Sequence, residues 1–128
     1  MKLPNAEECL MNIIWKCETA FMKDIMDYYP EPKPALTTIA TLLKRLQYRN
    51  MISYRLFGNS RQYFPLVSKE EYFSRHLNNI VNNFFGSSAL QFASFFASET
   101  KLSTKELKEL RDLIDNEINK KEDDTLPV

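Results

Sequence analysis

At 128 residues, 44% hydrophobic and 27% charged, the chain has an ordinary globular composition, with room for one compact domain or two small ones. Its two glycines argue against an all-β architecture and against Gly-rich phosphate loops. The formal net charge is zero, but residues 1–31 hold three bases and six acids, residues 32–69 hold seven bases and no acid, and residues 99–128 hold six bases and nine acids. Local charge rather than the sum sets the field that a polyanion meets, so a basic middle segment keeps nucleic acid among the candidate partners.

No apolar run approaches the ~20 residues of a membrane span, and no membrane insertion is expected. The opening "MKLPNAEECLMN" lacks the uninterrupted apolar core of a secretory signal, so the expected location is cytoplasmic. Cys9 and Cys17 fall on the first predicted helix, roughly 12 Å apart at ~1.5 Å rise per residue, too far to bridge. With His76 the single histidine, they make no zinc or iron–sulfur set, and no metal or cofactor is expected. They read as two small core hydrophobes.

In chain order, Asn5 followed by Glu8 is a variant capping box before an apolar run. Ala6, Leu10, Ile13, Ile14 and Cys17 then recur at helical spacing, with Trp15 beside them. A shorter helix, about Ala20 to Tyr28, buries some of Phe21, Met22, Ile25 and Met26. The prolines of "YPEPKP" stop it. The third helix, about Leu36 to Arg49, carries the stripe Ile39, Leu42, Leu43 and Leu46. "MISYRLF" and "RQYFPLV" are β-branched and aromatic runs around Gly58-Asn59-Ser60, which predicts a β-hairpin with Pro65 on an edge. Three helices and a two-stranded wing make a winged helix-turn-helix over residues 1–68.

After Ser68 the pattern is helical again: Phe73, Leu77, Ile80, Val81 and Phe84, then the aromatic run to Phe96. Ser103 and Glu106 form a capping box ahead of the seam Leu107, Leu110, Ile114 and Ile118. Three helices over 69–121 hold more large apolar groups than so short a segment buries well, which predicts a dimerisation domain; the alternative is a monomer whose segment folds back onto the first domain. Phe84, Phe92, Phe95, Phe96, Leu107, Leu110 and Ile114 are its expected contacts. Residues 122–128 are expected to form a disordered tail. The fold class is therefore mainly α with a small β-hairpin: a winged helix-turn-helix followed by a three-helix dimerisation domain.

On a helical wheel at ~100° per residue, Thr37, Thr41, Lys44 and Tyr48 stand roughly opposite the buried stripe of the third helix, with Arg45 flanking them. Thr38 and Arg49 sit closer to the stripe. A major groove admits one α-helix, threonines can bond base edges and touch thymine methyls, and Lys and Arg neutralise phosphates. Arg55 and Arg61 bracket the wing tip, with Tyr63 as a further contact. Taken singly, Lys44, Arg45 and Arg49 suit a solvated helix face, Thr37 and Thr38 suit a helix cap, and Tyr63 suits sheet packing. The absence of acids across residues 32–69 and the element order favour DNA. The same features also suit a module whose basic face meets an acidic protein partner. A lone His76 leaves no catalytic grouping, and an enzyme is not expected.

At these residues the chain resembles the penicillinase-repressor family of winged-helix transcriptional repressors. Four stretches carry the resemblance: "AEECLMNIIW" (Ala6 to Trp15), "TTIATLLKRL" (Thr37 to Leu46), "RQYFPLVSKEEY" (Arg61 to Tyr72) and "LSTKELKELRDLI" (Leu102 to Ile114). The resemblance implies a homodimer on a near-palindromic, double-stranded operator. It also implies inactivation by a cut in the dimerisation domain, triggered through a membrane sensor metalloprotease. The matching bond is Gln91-Phe92 where the family has Asn-Phe, and "ASFFASETK" beyond it is a few residues longer than usual. Basic residues of well-known members are missing at Thr37 and Ala40, while Thr38, Thr41 and Arg45 are kept, which implies a related binding mode on a different or degenerate operator. The copper-responsive branch has C-terminal cysteine motifs; no cysteine follows Cys17, which disfavours copper sensing.

Overall fold

The computed structural model describes residues 2–125, with the side chain of residue 125 left out. The elements run α1 (Asn5–Cys17), α2 (Met22–Tyr28), α3 (Leu36–Tyr48), β1 (Ile52–Phe57), β2 (Ser60–Pro65), α4 (Lys69–Phe84), α5 (Ala89–Glu99) and α6 (Thr104–Thr125). This is the expected mainly helical chain with one antiparallel hairpin. It divides into two compact units, Met1–Asn79 and Ile80–Val128, so the division falls within α4 rather than at residue 69.

The first unit holds the core. Leu10, Met11, Ile13 and Ile14 of α1, Ile25 of α2, and Ile39, Leu42, Leu43 and Leu46 of α3 are buried together with Ile52 and Tyr63 of the hairpin. The expected stripe of α3 is therefore its buried face. In α1 the first stripe position is Glu7 and not Ala6, which is exposed. Glu7, Leu10, Met11 and Ile14 follow the spacing i, i+3, i+4, i+7 of one helix face. Cys9 is exposed and Cys17 half-buried, so Cys9 is not the core residue expected of it.

Helix ends differ from expectation in instructive ways. Asn5 already lies inside α1, so the N-cap is Pro4, whose ring has no polar atom to offer a side-chain bond. Glu8, freed from a capping box, accepts from the Tyr72 hydroxyl at 2.6 Å. At α2 the Asp24 carboxylate accepts from the Phe21 N–H at 2.9 Å. The other end of α2 is closed by Lys33, whose ammonium donates to the Met26 and Tyr29 carbonyls at 2.6 and 3.0 Å. A Schellman motif ends α3: Met51 N–H donates to Leu46 O, Asn50 N–H donates to Gln47 O, and Asn50 takes φ 59°. That reversal sends the chain directly into β1.

In the hairpin, Tyr54 pairs with Tyr63 and Arg55 with Gln62, across a two-residue turn of Gly58 and Asn59. Gly58 has φ +61°, as the first position of such a turn requires. Tyr63 exchanges both backbone bonds with Ala20 on the side away from β1. Pro65, two residues on, points its nitrogen the same way, so its missing donor costs the β1–β2 ladder nothing.

The first turns of α4 belong to this unit. Tyr72 is buried, its oxygen accepts from the Leu3 N–H at 2.9 Å, and its ring contacts those of Trp15 and Phe73. Trp15 Nε1 donates to the Val67 carbonyl at 2.9 Å. Burial, followed by the bond to Glu8, holds the Tyr72 hydroxyl pKa above its ordinary value.

In the second unit, Ser88 Oγ accepts from the Gln91 N–H at the start of α5. Ser103 and Glu106 form the expected reciprocal capping box at α6, with both bonds at 3.1 Å. Bonds from Ser103 hold the Glu106 carboxyl below its ordinary pKa. Helix α6 runs to Thr125, so residues 122–125 are helical where a tail was expected. Residues 126–128 of that tail lie outside the described residues.

Candidate nucleic-acid interface

Burying Ile39, Leu42, Leu43 and Leu46 turns the other side of α3 outward. Thr37, Thr38, Thr41, Lys44 and Arg45 are all exposed, and Tyr48 is 90% exposed. Thr41, Lys44, Arg45, Tyr48 and Arg49 line an open groove of about 580 Å³ that no acid enters. Thr41 Oγ1 donates to the Thr37 carbonyl at 3.0 Å. Its donor is thereby used, and it offers incoming groups its lone pairs and its methyl. Thr37 and Thr38 do not cap the helix. Ala35 is the N-cap, with no side-chain bond and no acid in the first turn. An uncapped, acid-free helix start favours an approaching anion.

Arg49, expected to face the DNA backbone, is the C-cap of α3 and faces two ways. Its Nε lies 3.3 Å from Glu7 Oε1, while its side chain also lines the groove. Arg55 and Arg61 both lie near the wing tip, as expected, but on opposite faces of the hairpin. Arg55 shares a face with its partner Gln62, and Arg61 shares the other with Leu56. Each guanidinium rests on a ring, Arg55 over Phe64 at 5.0 Å and Arg61 over Tyr54 at 4.3 Å. Tyr63 does not reach the outward face. It is buried against Tyr54, and its backbone is tied to Ala20, so it serves packing.

The second unit is built differently. In residues 80–124 no side chain is fully buried. Phe85 meets Phe92 and Phe95 at 5.5 and 5.4 Å between ring centroids, and Phe92 stacks on Phe96. Of the expected contacts, Phe84, Phe95, Phe96, Leu107 and Ile114 are exposed, and Phe92 and Leu110 are half-buried. Leu90 and Leu113, which lie off the helical seams, are exposed as well. Gln91 and Phe92 lie in the first turn of α5, Gln91 exposed.

A sequence profile of the penicillinase repressor family matches residues 3–116, from before α1 well into α6. The chain belongs to that family. It is 27% identical to a penicillinase repressor of Staphylococcus aureus over 122 residues, which is 94% of this chain and 96% of the relative. It is 26% identical over 114 residues to the methicillin resistance regulatory protein MecI of Staphylococcus epidermidis, covering 88% and 93% of the two chains. Both relatives are named as regulators, and the family match extends through both units. Among the described residues no helix is long and apolar enough to cross a membrane.

Behind this face, the residue that periodicity did not single out is Glu7, the buried partner of Arg49. Counted by charge it joins an acidic N-terminal segment. Counted by position it lies on the stripe of α1, and a carboxylate on an apolar stripe is a signal that a cation meets it.

Proposed function

We propose that this protein is a dimeric, sequence-specific DNA-binding repressor that reads a near-palindromic operator, one winged unit on each half-site. The observation that carries the proposal is the exposed, acid-free face of α3, where three threonines precede Lys44, Arg45 and Tyr48. The threonines suit base edges, and the cations beyond them suit phosphates. Self-association is supported by the second unit, which exposes Phe84, Phe95, Leu107 and Ile114 while fully burying none of its described side chains. A second copy would cover such a surface symmetrically.

Binding selection from random duplexes, followed by titration of the selected site, tests the reading. A dimer with about six phosphate contacts loses roughly tenfold or more in affinity per doubling of salt. Failure to shift either the selected duplex or the DNA upstream of its own gene at low salt overturns the proposal and leaves an acidic protein partner as the ligand of the basic face.

The family resemblance also supplies a switch: a cut at Gln91-Phe92, made in response to a membrane sensor metalloprotease. Phe92 joins the ring cluster of Phe85 and Phe96, so the cut would separate the winged unit from much of its pairing surface. The loss of paired half-site binding follows. The bond lies in α5, which must open locally before a protease can take it in extended form. Intact protein in cells challenged with a β-lactam, by mass spectrometry, would count against this switch.

A further inference from the structure

The end of α3 and the first turns of α4 enclose a second basic hollow, apart from the groove on the exposed face of α3. A cavity of about 210 Å³ is walled by Arg49, Asn50, Met51, Val67, Tyr72 and Arg75, all within the first unit. Met51, Val67 and Tyr72 give it apolar walls, two guanidiniums and an amide supply polar groups, and no carboxylate lines it. The acids behind its walls are already engaged, Glu7 with Arg49 and Glu8 with the Tyr72 hydroxyl. Arg75 follows Tyr72 by three positions on α4, so it stands on the face through which buried Tyr72 joins this unit. Among the described residues the side chains of Asn50 and Arg75 have no hydrogen-bond or ion-pair partner. The Schellman bonds hold Asn50 at φ 59° and so fix where its side chain leaves the backbone.

We infer that this cavity binds a small soluble oxyanion, a phosphate or carboxylate group, and that this ligand competes with the duplex for Arg49. Arg75 brings a charge with no counter-charge among the described residues, and an oxyanion lying between it and Arg49 offers oxygens to both guanidinium forks. The Asn50 amide adds a donor. The volume lies below the ~300 Å³ at which drug-sized sites begin, so the ligand is compact. Arg49 is the one residue that lines both this cavity and the open groove of α3. Charge that it gives to an anion in the cavity is withdrawn from a duplex lying on the groove, and by linkage a bound duplex weakens the anion by the same factor. The competition rests on the DNA-binding reading; the anion site does not.

The test uses the full chain, with Arg75→Ala, Arg75→Lys and, as a control on an exposed face of α1, Lys16→Ala. Inorganic phosphate and malonate are titrated separately at constant ionic strength and followed by NMR. Duplex binding is measured by anisotropy with and without each probe. Saturable shifts at the Asn50, Met51 and Tyr72 amides are expected, lost in Arg75→Ala, partly kept in Arg75→Lys and unchanged in Lys16→Ala. The tighter probe identifies the ligand group as phosphate or carboxylate. A saturating probe is expected to weaken the duplex about three- to tenfold, and Arg75→Ala, with its probe-free duplex affinity unaltered, should lose that response. No saturable shift with either probe overturns the site and leaves the DNA reading intact. A weaker duplex and a lower salt slope for Arg75→Ala without any probe would assign the guanidinium to the DNA backbone and overturn the proposal. Saturable shifts with the duplex affinity unmoved overturn the competition. Saturable shifts in a protein that binds no duplex leave the site standing and reject the DNA reading.

Discussion

Glu7 is 1% exposed, and its Oε1 lies 3.3 Å from the Nε of Arg49, which is 32% exposed. The pair fastens α1 to the end of α3, and its two ends are unequal. Removing Glu7 leaves a guanidinium that water can still reach. Removing Arg49 leaves a carboxylate sealed in the core, and an uncompensated buried charge is the costlier outcome. Arg49→Ala should therefore destabilise the protein by about 2–4 kcal/mol, and Glu7→Gln by about 1–2 kcal/mol. Urea denaturation of the two variants measures both. A larger loss from Glu7→Gln than from Arg49→Ala contradicts the assignment of the buried end.

The exposed face of α3 yields a second pair. Arg45→Ala should weaken binding to every duplex and lower the salt slope by about one, as expected of a phosphate contact. Thr41→Ala removes an oxygen and a methyl from the base-facing side. It should change preference at one operator position by about 1–3 kcal/mol with the salt slope kept. Titrations on operator and scrambled duplexes separate the two effects. Equal losses from both variants on both duplexes would reject this division of roles.

What the chain declared in advance follows from periodicity. The stripe Ile39, Leu42, Leu43 and Leu46 was legible because a 3.6-residue repeat has one solution for a helix that must bury a face. The hairpin was legible because Gly58-Asn59 separates two β-rich runs. Long-range pairings left no such trace. Tyr63 sits in a strand pattern that fits either an outward or an inward side chain; it is buried, and its backbone is bridged to Ala20, 43 positions earlier. Lys33 and Lys23 count alike as charges, yet one closes α2 and the other lines a cleft. The capping box at Asn5 failed because Pro4 starts the helix one residue sooner, and Glu8 then finds Tyr72 across 64 positions.

The second unit should pair through residues it leaves exposed. Leu110 is half-buried within its own chain, so its substitution would mix folding with association, whereas Ile114 is 48% exposed on the same helix. Ile114→Asp should give monomers in sedimentation equilibrium at micromolar protein, with far-UV dichroism little changed. The unmodified protein should melt at temperatures that rise with its concentration, as linkage requires of a folded dimer. An unchanged dimer in Ile114→Asp removes this face of α6 from the interface.

Two phenols of the first unit are held above the ordinary tyrosine range. Burial raises the Tyr29 hydroxyl to about 12, with the neighbouring Cys9 adding to the effect. The Tyr72 hydroxyl is raised chiefly by burial and next by its bond to the Glu8 carboxylate. Raised folded-state values mean that the stabilisation from both protonated phenols is fully present below the ordinary tyrosine value of about 10, and is lost as pH rises through the folded values. Stability should therefore fall from about pH 10 upward. Tyr72→Phe should blunt that fall while lowering stability near neutrality by about 1–3 kcal/mol, since the Leu3 N–H loses its acceptor and Glu8 its donor. Phenolate absorbance and urea midpoints recorded over the same pH series test both statements. A phenolate titration with no late fraction would show that neither the Tyr29 nor the Tyr72 hydroxyl is held as described.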